Sequence, residues 1–253
     1  MVEIAWESSG TGAGLVLVHG LSEDRRGWDW LVPLLEPSFR VVRLDLRGHG
    51  ESSDADDYGA VAMAGDVATV VGEAGIDEPP LVVGHSLGAV VATAYALQAP
   101  VRGVVNVDQS LRLGDFAAAL APVEDALRGP EFAEVFLAIL DLLGHDGVSD
   151  DQLAYLHERH RCARQDVVLG VWADVFASSP EELTALGAGL LGGLTVPYVA
   201  VHGSDPGPGY AEWLAAALPG ARVEVWRGGH YPHLVEPDRF AALLRDLAAG
   251  EGV

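Results

Sequence analysis

Leu81-Val82-Val83-Gly84-His85-Ser86-Leu87-Gly88 is a short, β-rich apolar run that ends in Gly-x-Ser-x-Gly. An apolar helical pattern, Ala89-Val90-Val91-Ala92-Thr93-Ala94-Tyr95-Ala96-Leu97, follows at once. Together they describe a strand, a tight turn and a buried helix, with the Ser86 hydroxyl presented above the end of a sheet. The glycines flank the serine because such a turn strains its backbone and brings strand and helix close together. In a chain with 31 glycines among 253 residues the bare pattern carries little weight. Its context carries the reading: Val82 and Val83 are strand formers, and 89–97 suits a buried helix.

Outward from this stretch, similar apolar runs recur: Leu15–Val18, Phe39–Leu44, Val104–Val107, Val196–Val201 and Ala221–Trp226. Val2–Glu7 is a weaker first strand. Helical patterns alternate with them near 28–36, 60–75, 87–98, 209–218 and 237–249. Continuous apolar strands separated by helices predict an α/β fold, a mostly parallel sheet covered by helices on both faces. Between Asp108 and Leu194 the rhythm breaks. Residues 114–128, 130–143, 150–165 and 166–178 read as helices, with breaks at Gly129-Pro130, Gly144–Gly147 and Ser178-Ser179-Pro180. The expected organisation is a core of 1–111 and 191–253, with 112–190 inserted as a helical lid.

Composition narrows the function classes. All fifteen basic residues are arginines, set against 37 acidic residues, for a net charge of −22. The absence of lysine excludes Schiff-base chemistry and Ser–Lys dyads. So negative a surface disfavours nucleic acid and anionic membranes as partners. Cys162 is the single cysteine, so an intrachain disulfide and a cysteine-based zinc site are both excluded. No apolar run approaches the roughly eighteen residues of a membrane span. The acidic N-terminal segment Met1–Glu7 lacks a signal-peptide core, and a soluble, cytoplasmic protein is expected. No dinucleotide or phosphate loop is present, so no cofactor and no metal are expected.

In parallel sheets ligands bind beyond the carboxyl ends of the strands. The residues there are His19-Gly20-Leu21, Gly84-His85-Ser86, Asp108, His202-Gly203-Ser204-Asp205 and Arg227-Gly228-Gly229-His230. A hydroxyl, two acids and an imidazole thus converge from separate strands. With Asp45-Leu46-Arg47-Gly48-His49-Gly50-Glu51-Ser52 and Gly229-His230-Tyr231-Pro232-His233-Leu234, these motifs resemble the α/β-hydrolase superfamily over nearly the whole chain. The order serine, acid, histidine matches that family. The resemblance implies a roughly eight-stranded sheet and a helical lid at about 112–190.

It also implies roles. Ser86 is expected to be the nucleophile and His230 its general base. Asp205, in the family's usual position, is the preferred acid and Asp108 the alternative. Gly203 and Asp205 lie one residue closer than in many relatives, and Pro206-Gly207-Pro208-Gly209 follows. The backbone N–H groups of Leu21 and Leu87 are expected to form the oxyanion hole. His233 is read as bonding locally, His85 as part of the elbow, and His157 and His160 as a solvated helix face. Trp172 is placed in the lid. The expected activity is hydrolysis of a carboxylic ester, lactone or thioester through an acyl-enzyme. Carbon–carbon bond hydrolysis or perhydrolysis by the same triad is the alternative, followed by a non-catalytic ligand-binding role. The partner expected is a small, largely apolar or neutral substrate.

Overall fold

The computed structural model describes residues 2–250. Seven strands form one sheet: β1 (Trp6–Ser9), β2 (Ala13–Val18), β3 (Phe39–Leu44), β4 (Leu81–His85), β5 (Gly103–Val107), β6 (Tyr198–His202) and β7 (Arg222–Val225). Their spatial order is β1-β3-β2-β4-β5-β6-β7. Only β1 runs antiparallel, against β3. All other pairs are parallel. The sheet has the expected character, with the weak first strand shifted to Trp6–Ser9.

The central strands are apolar on both faces because helices cover both. Val16, Val18, Val82 and Val104 join one core with residues of the helices Ala60–Glu73 and Leu87–Ala96. Leu15, Leu17, Val83 and Val105 face the other core, with Trp28, Leu31, Phe240 and Leu244. The alternation along each strand is the two-residue period of a pleated sheet, here apolar in both phases.

Register brings the strand ends into line. Val18 pairs with Gly84, and Gly84 with Asn106. His85 pairs with Val107, and Val107 with Val201. The ladder continues one step further: Ser86 N donates to Val107 O at 2.9 Å, and Asp108 N to Val201 O at 2.8 Å. Ser86 and Asp108 therefore leave neighbouring strands at the same rim.

Between β5 and β6 the chain is helical: Leu113–Leu120, Glu124–Arg128, Phe132–Leu142, Asp150–Arg161, Gln165–Val171, Ala173–Ala177 and Pro180–Gly192. The last of these begins at the break expected at Ser178-Ser179-Pro180. Ser179 is its N-cap: its side chain accepts from Glu182 N, while Glu182 reaches back to Ser179 N. Pro180 occupies the first helical turn, where its missing N–H costs nothing. The break is also the start of the next helix. Near residue 28 the expected helix resolves into a 3-10 turn, Arg25–Trp28, and a short helix, Val32–Leu35.

Candidate active site

Ser86 stands between β4 and the helix Leu87–Ala96 with φ 50° and ψ −121°, a backbone conformation that a non-glycine residue adopts only under constraint. The constraint is close packing. A Cβ on Gly84 would lie 2.0 Å from Gly88 O, and one on Gly88 would lie 2.2 Å from Val18 O. Both glycines are therefore required by contact, and the serine between them is half-buried.

His230 Nδ1 donates to Asp108 Oδ2 at 2.7 Å. Asp108 Oδ1 accepts from Gly203 N at 2.9 Å, and His202 Nδ1 lies 3.7 Å from it. Burial works against the Asp108 charge, but His202, His230 and Gly203 N–H outweigh it. Its carboxyl is held well below the usual carboxylate range.

Asp205, the acid preferred from sequence, does not reach His230. It is exposed, and its Oδ1 accepts from Gly207 N at 2.9 Å within its own turn. The short Gly203-Ser204-Asp205 spacing and the Pro-Gly-Pro-Gly turn after it fold that carboxylate back on its own loop. The alternative, Asp108, occupies the place beside the imidazole. Its positive φ of 52° turns the chain at the end of β5.

The His230 segment is tied to the residue between Gly84 and Ser86. His85 is fully buried, its Nε2 bonds His230 O at 2.9 Å, and its ring centre lies 4.6 Å from that of His230. Among the described residues neither Ser86 Oγ nor His230 Nε2 has a protein hydrogen-bond partner. In ligand-free sites such bonds are commonly long and tighten with substrate. The Leu21 and Leu87 amides likewise donate to no protein acceptor among the described residues.

Further residues of the motifs take the following places. His85, read as part of the elbow, reaches across to the His230 loop and to Glu23. His233 makes no local bond at Nδ1. It packs 5.0 Å from Trp28 and 4.9 Å from His85, and burial holds its pKa well below the ordinary value. His160 is buried rather than solvated. Its Nε2 lies 3.3 Å from the Tyr231 hydroxyl, and burial pushes its pKa down to about 4. Trp172 is buried among Phe116, Phe136 and Phe176. Arg47 and His49 are structural: Arg47 forks onto Asp66 at 2.6 and 2.7 Å, and His49 Nδ1 donates to Arg47 O.

A cavity of about 200 Å³ opens beside this rim, between the Leu21–Glu23 loop and the helices Asp150–Arg161 and Gln165–Val171. Ser22, Ser52, Arg159 and Arg164 make part of its wall polar, while Leu21 and Val167 are apolar. Leu21 links it to the amides described above. Among the described residues no group of His, Cys, Asp or Glu is arranged to hold a metal ion.

The model of the alpha/beta hydrolase family matches residues 15–243. The chain belongs to that family. Among its relatives, the pimeloyl-[acyl-carrier protein] methyl ester esterase of Yersinia pseudotuberculosis is 30% identical over 268 residues, spanning 98% of each chain. The dihydrolipoyllysine-residue acetyltransferase component of the acetoin cleaving system of Cupriavidus necator is 31% identical over 266 residues. That match spans 98% of this alpha/beta hydrolase and 67% of the Cupriavidus protein. A thermophilic esterase from Thermogutta terrifontis superposes with a TM-score of 0.72 at 24% identity, covering 98% of this chain and 94% of its own. At that identity the likeness speaks for the fold alone.

Proposed function

We propose that this alpha/beta hydrolase cleaves a carboxylic ester-type bond of a small molecule, an ester, lactone or thioester, through an acyl-enzyme on Ser86. The 2.7 Å bond between His230 Nδ1 and Asp108, at the rim where Ser86 is strained outward, carries the reading. With Nδ1–H committed to Asp108, Nε2 is left as the basic nitrogen, the tautomer a general base requires. It takes the Ser86 proton as Oγ attacks the carbonyl carbon. The tetrahedral oxyanion is met by Leu21 N–H and Leu87 N–H, and the leaving oxygen or sulfur receives the proton from His230. Water then repeats the sequence in reverse on the acyl-enzyme. The relationship to a methyl ester esterase at 30% identity supports the same bond class.

The helices Leu113–Gly192 serve as the lid. Gly144 O accepts from His230 N at 3.0 Å, so the loop after Phe132–Leu142 lies directly on the histidine segment. The adjoining cavity gives a small, largely apolar or neutral substrate a surface of mixed polar and apolar residues to meet.

A small fluorophosphonate, followed by intact-protein mass, tests this reading. Wild type should gain one adduct and Ser86→Ala none. Asp108→Asn should lower kcat by about 10⁴-fold, as loss of the correct imidazole tautomer does in such triads. Asp205→Asn should label at the wild-type rate. Equal rates for wild type and Asp108→Asn would remove the acid from the mechanism.

A further inference from the structure

Beneath the triad lies a second acid that the mechanism does not use. Glu23 is 7% exposed. Gly20 N donates to its Oε2 at 3.3 Å, and the Tyr231 hydroxyl to its Oε1 at 3.3 Å. His85 Nδ1 lies 3.3 Å from Oε1 and 3.4 Å from Oε2. On its other edge His85 Nε2 donates to His230 O at 2.9 Å. Each edge of the His85 ring therefore faces an acceptor, a carboxylate on one side and a carbonyl on the other. A doubly protonated ring satisfies both.

The three partners of Glu23 have something in common. Gly20 precedes Leu21, His85 precedes Ser86, and Tyr231 follows His230. One buried carboxylate is thus tied to the immediate chain neighbours of an oxyanion amide, the nucleophile and the base. Packing alone does not require this, because an apolar pair of the same volume would fill the space without the cost of burying charge.

We propose that Glu23 and His85 form a positioning pair that holds the His230 main chain, and so its imidazole, in register with Ser86 and the Leu21 amide. The proposal rests on the reading of Ser86 and His230 as nucleophile and base. The Glu23 carboxylate is turned to Gly20, His85 and Tyr231, and the pair acts through His230, where small displacements of a reacting group are costly in rate.

Fluorophosphonate labelling separates positioning from folding without a known substrate. Final adduct occupancy counts the assembled sites, and the saturation rate constant reports how well each one works. Glu23→Gln keeps the shape and removes the charge. It should lower the rate constant about ten- to a hundredfold, the size of loss that follows when hydrogen-bonding partners that orient metal ligands are removed. Occupancy and half-saturating probe concentration should stay at wild-type values. Glu23→Asp should recover part of the rate. Glu23→Gln combined with His85→Gln should be no slower than the slower single variant. Should Glu23→Gln fail to fold, Tyr231→Phe, which deletes one hydroxyl, decides by the same readout. Reduced occupancy at an unchanged rate constant, or a rate constant within about threefold of wild type, would overturn the pair. Retained labelling in Ser86→Ala would overturn the underlying reading instead, and so distinguishes the two failures.

Discussion

Among the described residues only Ser22, Ser86 and Asp108 adopt positive φ without being glycine. All three follow strand ends at one rim. Strain of this kind persists where surrounding contacts over-determine the backbone. Gly88 is one such contact, because an added Cβ would meet Val18 O at 2.2 Å and His19 O at 2.6 Å. Gly88→Ala should therefore destabilise the protein by about 3 kcal/mol or more, read from the denaturant midpoint. A wild-type midpoint would show that the elbow is looser than its contacts. The buried pair makes a prediction of its own. Burial opposes the Glu23 charge, but the charge and hydrogen bond of His85 outweigh it, so its pKa falls well below 4.5. Burial likewise opposes His85⁺, but Glu23 and the His230 carbonyl hold its pKa above 6.5. Tyr231 and His233 also face the His85 ring, and Asp108 and His230 adjoin it. A lowered acid stabilises above its unfolded value, and a raised base stabilises fully below its own. The contribution of the pair is therefore greatest between pH 4.5 and 6.5. The melting deficit of Glu23→Gln should be larger at about pH 5.5 than at about pH 9.5. A deficit that grew with pH would contradict the charged pair.

At the scale of elements, two helix starts in the insertion, at Ser149 and Ser179, are set by side-chain caps. Ser149 accepts from Gln152 N, and Gln152 returns a bond to Ser149 N. Ser149→Ala should cost about 1 kcal/mol, seen as a lower thermal midpoint. No change would mean that tertiary packing alone holds the helix Asp150–Arg161. The same chemistry explains what was hard to read in the chain. Ser178-Ser179-Pro180 looks like punctuation, yet Ser179 with Glu182 three residues later marks a helix start. The strands were legible because their residues are apolar in both phases, a pattern that survives in any register. Ser86 and His230 stand out as candidates because each follows a strand with glycines close by in sequence. Choosing between Asp108 and Asp205 was not possible from residue types, since both follow strands. Loop length and backbone sign decide it, and neither is encoded by the aspartate itself. Glu23 was missed for a related reason. Four residues beyond His19 it reads as solvated loop, and only the fold turns it inward between three separate segments.

Over the whole molecule, 37 acidic residues against fifteen arginines leave a large excess of negative charge. Self-repulsion of this size destabilises the compact state, and salt screens it. The thermal midpoint should rise from about 10 mM to about 1 M sodium chloride; a fall would mean that the arginine pairs outweigh the repulsion. No described helix is long and apolar enough to cross a membrane. Because Asp108 leaves β5 beside the strand that carries Ser86, the turn after β6 reaches the imidazole's partner through Gly203 N rather than through Asp205. The segment from Ser204 to Gly209 is largely exposed, and its Asp205 carboxylate bonds within the turn. Sequence drift there is released from the chemistry. A peptide tag spliced after Ser204 should leave turnover intact, giving this scaffold an attachment point that a hydrolase with its acid on that turn would lack.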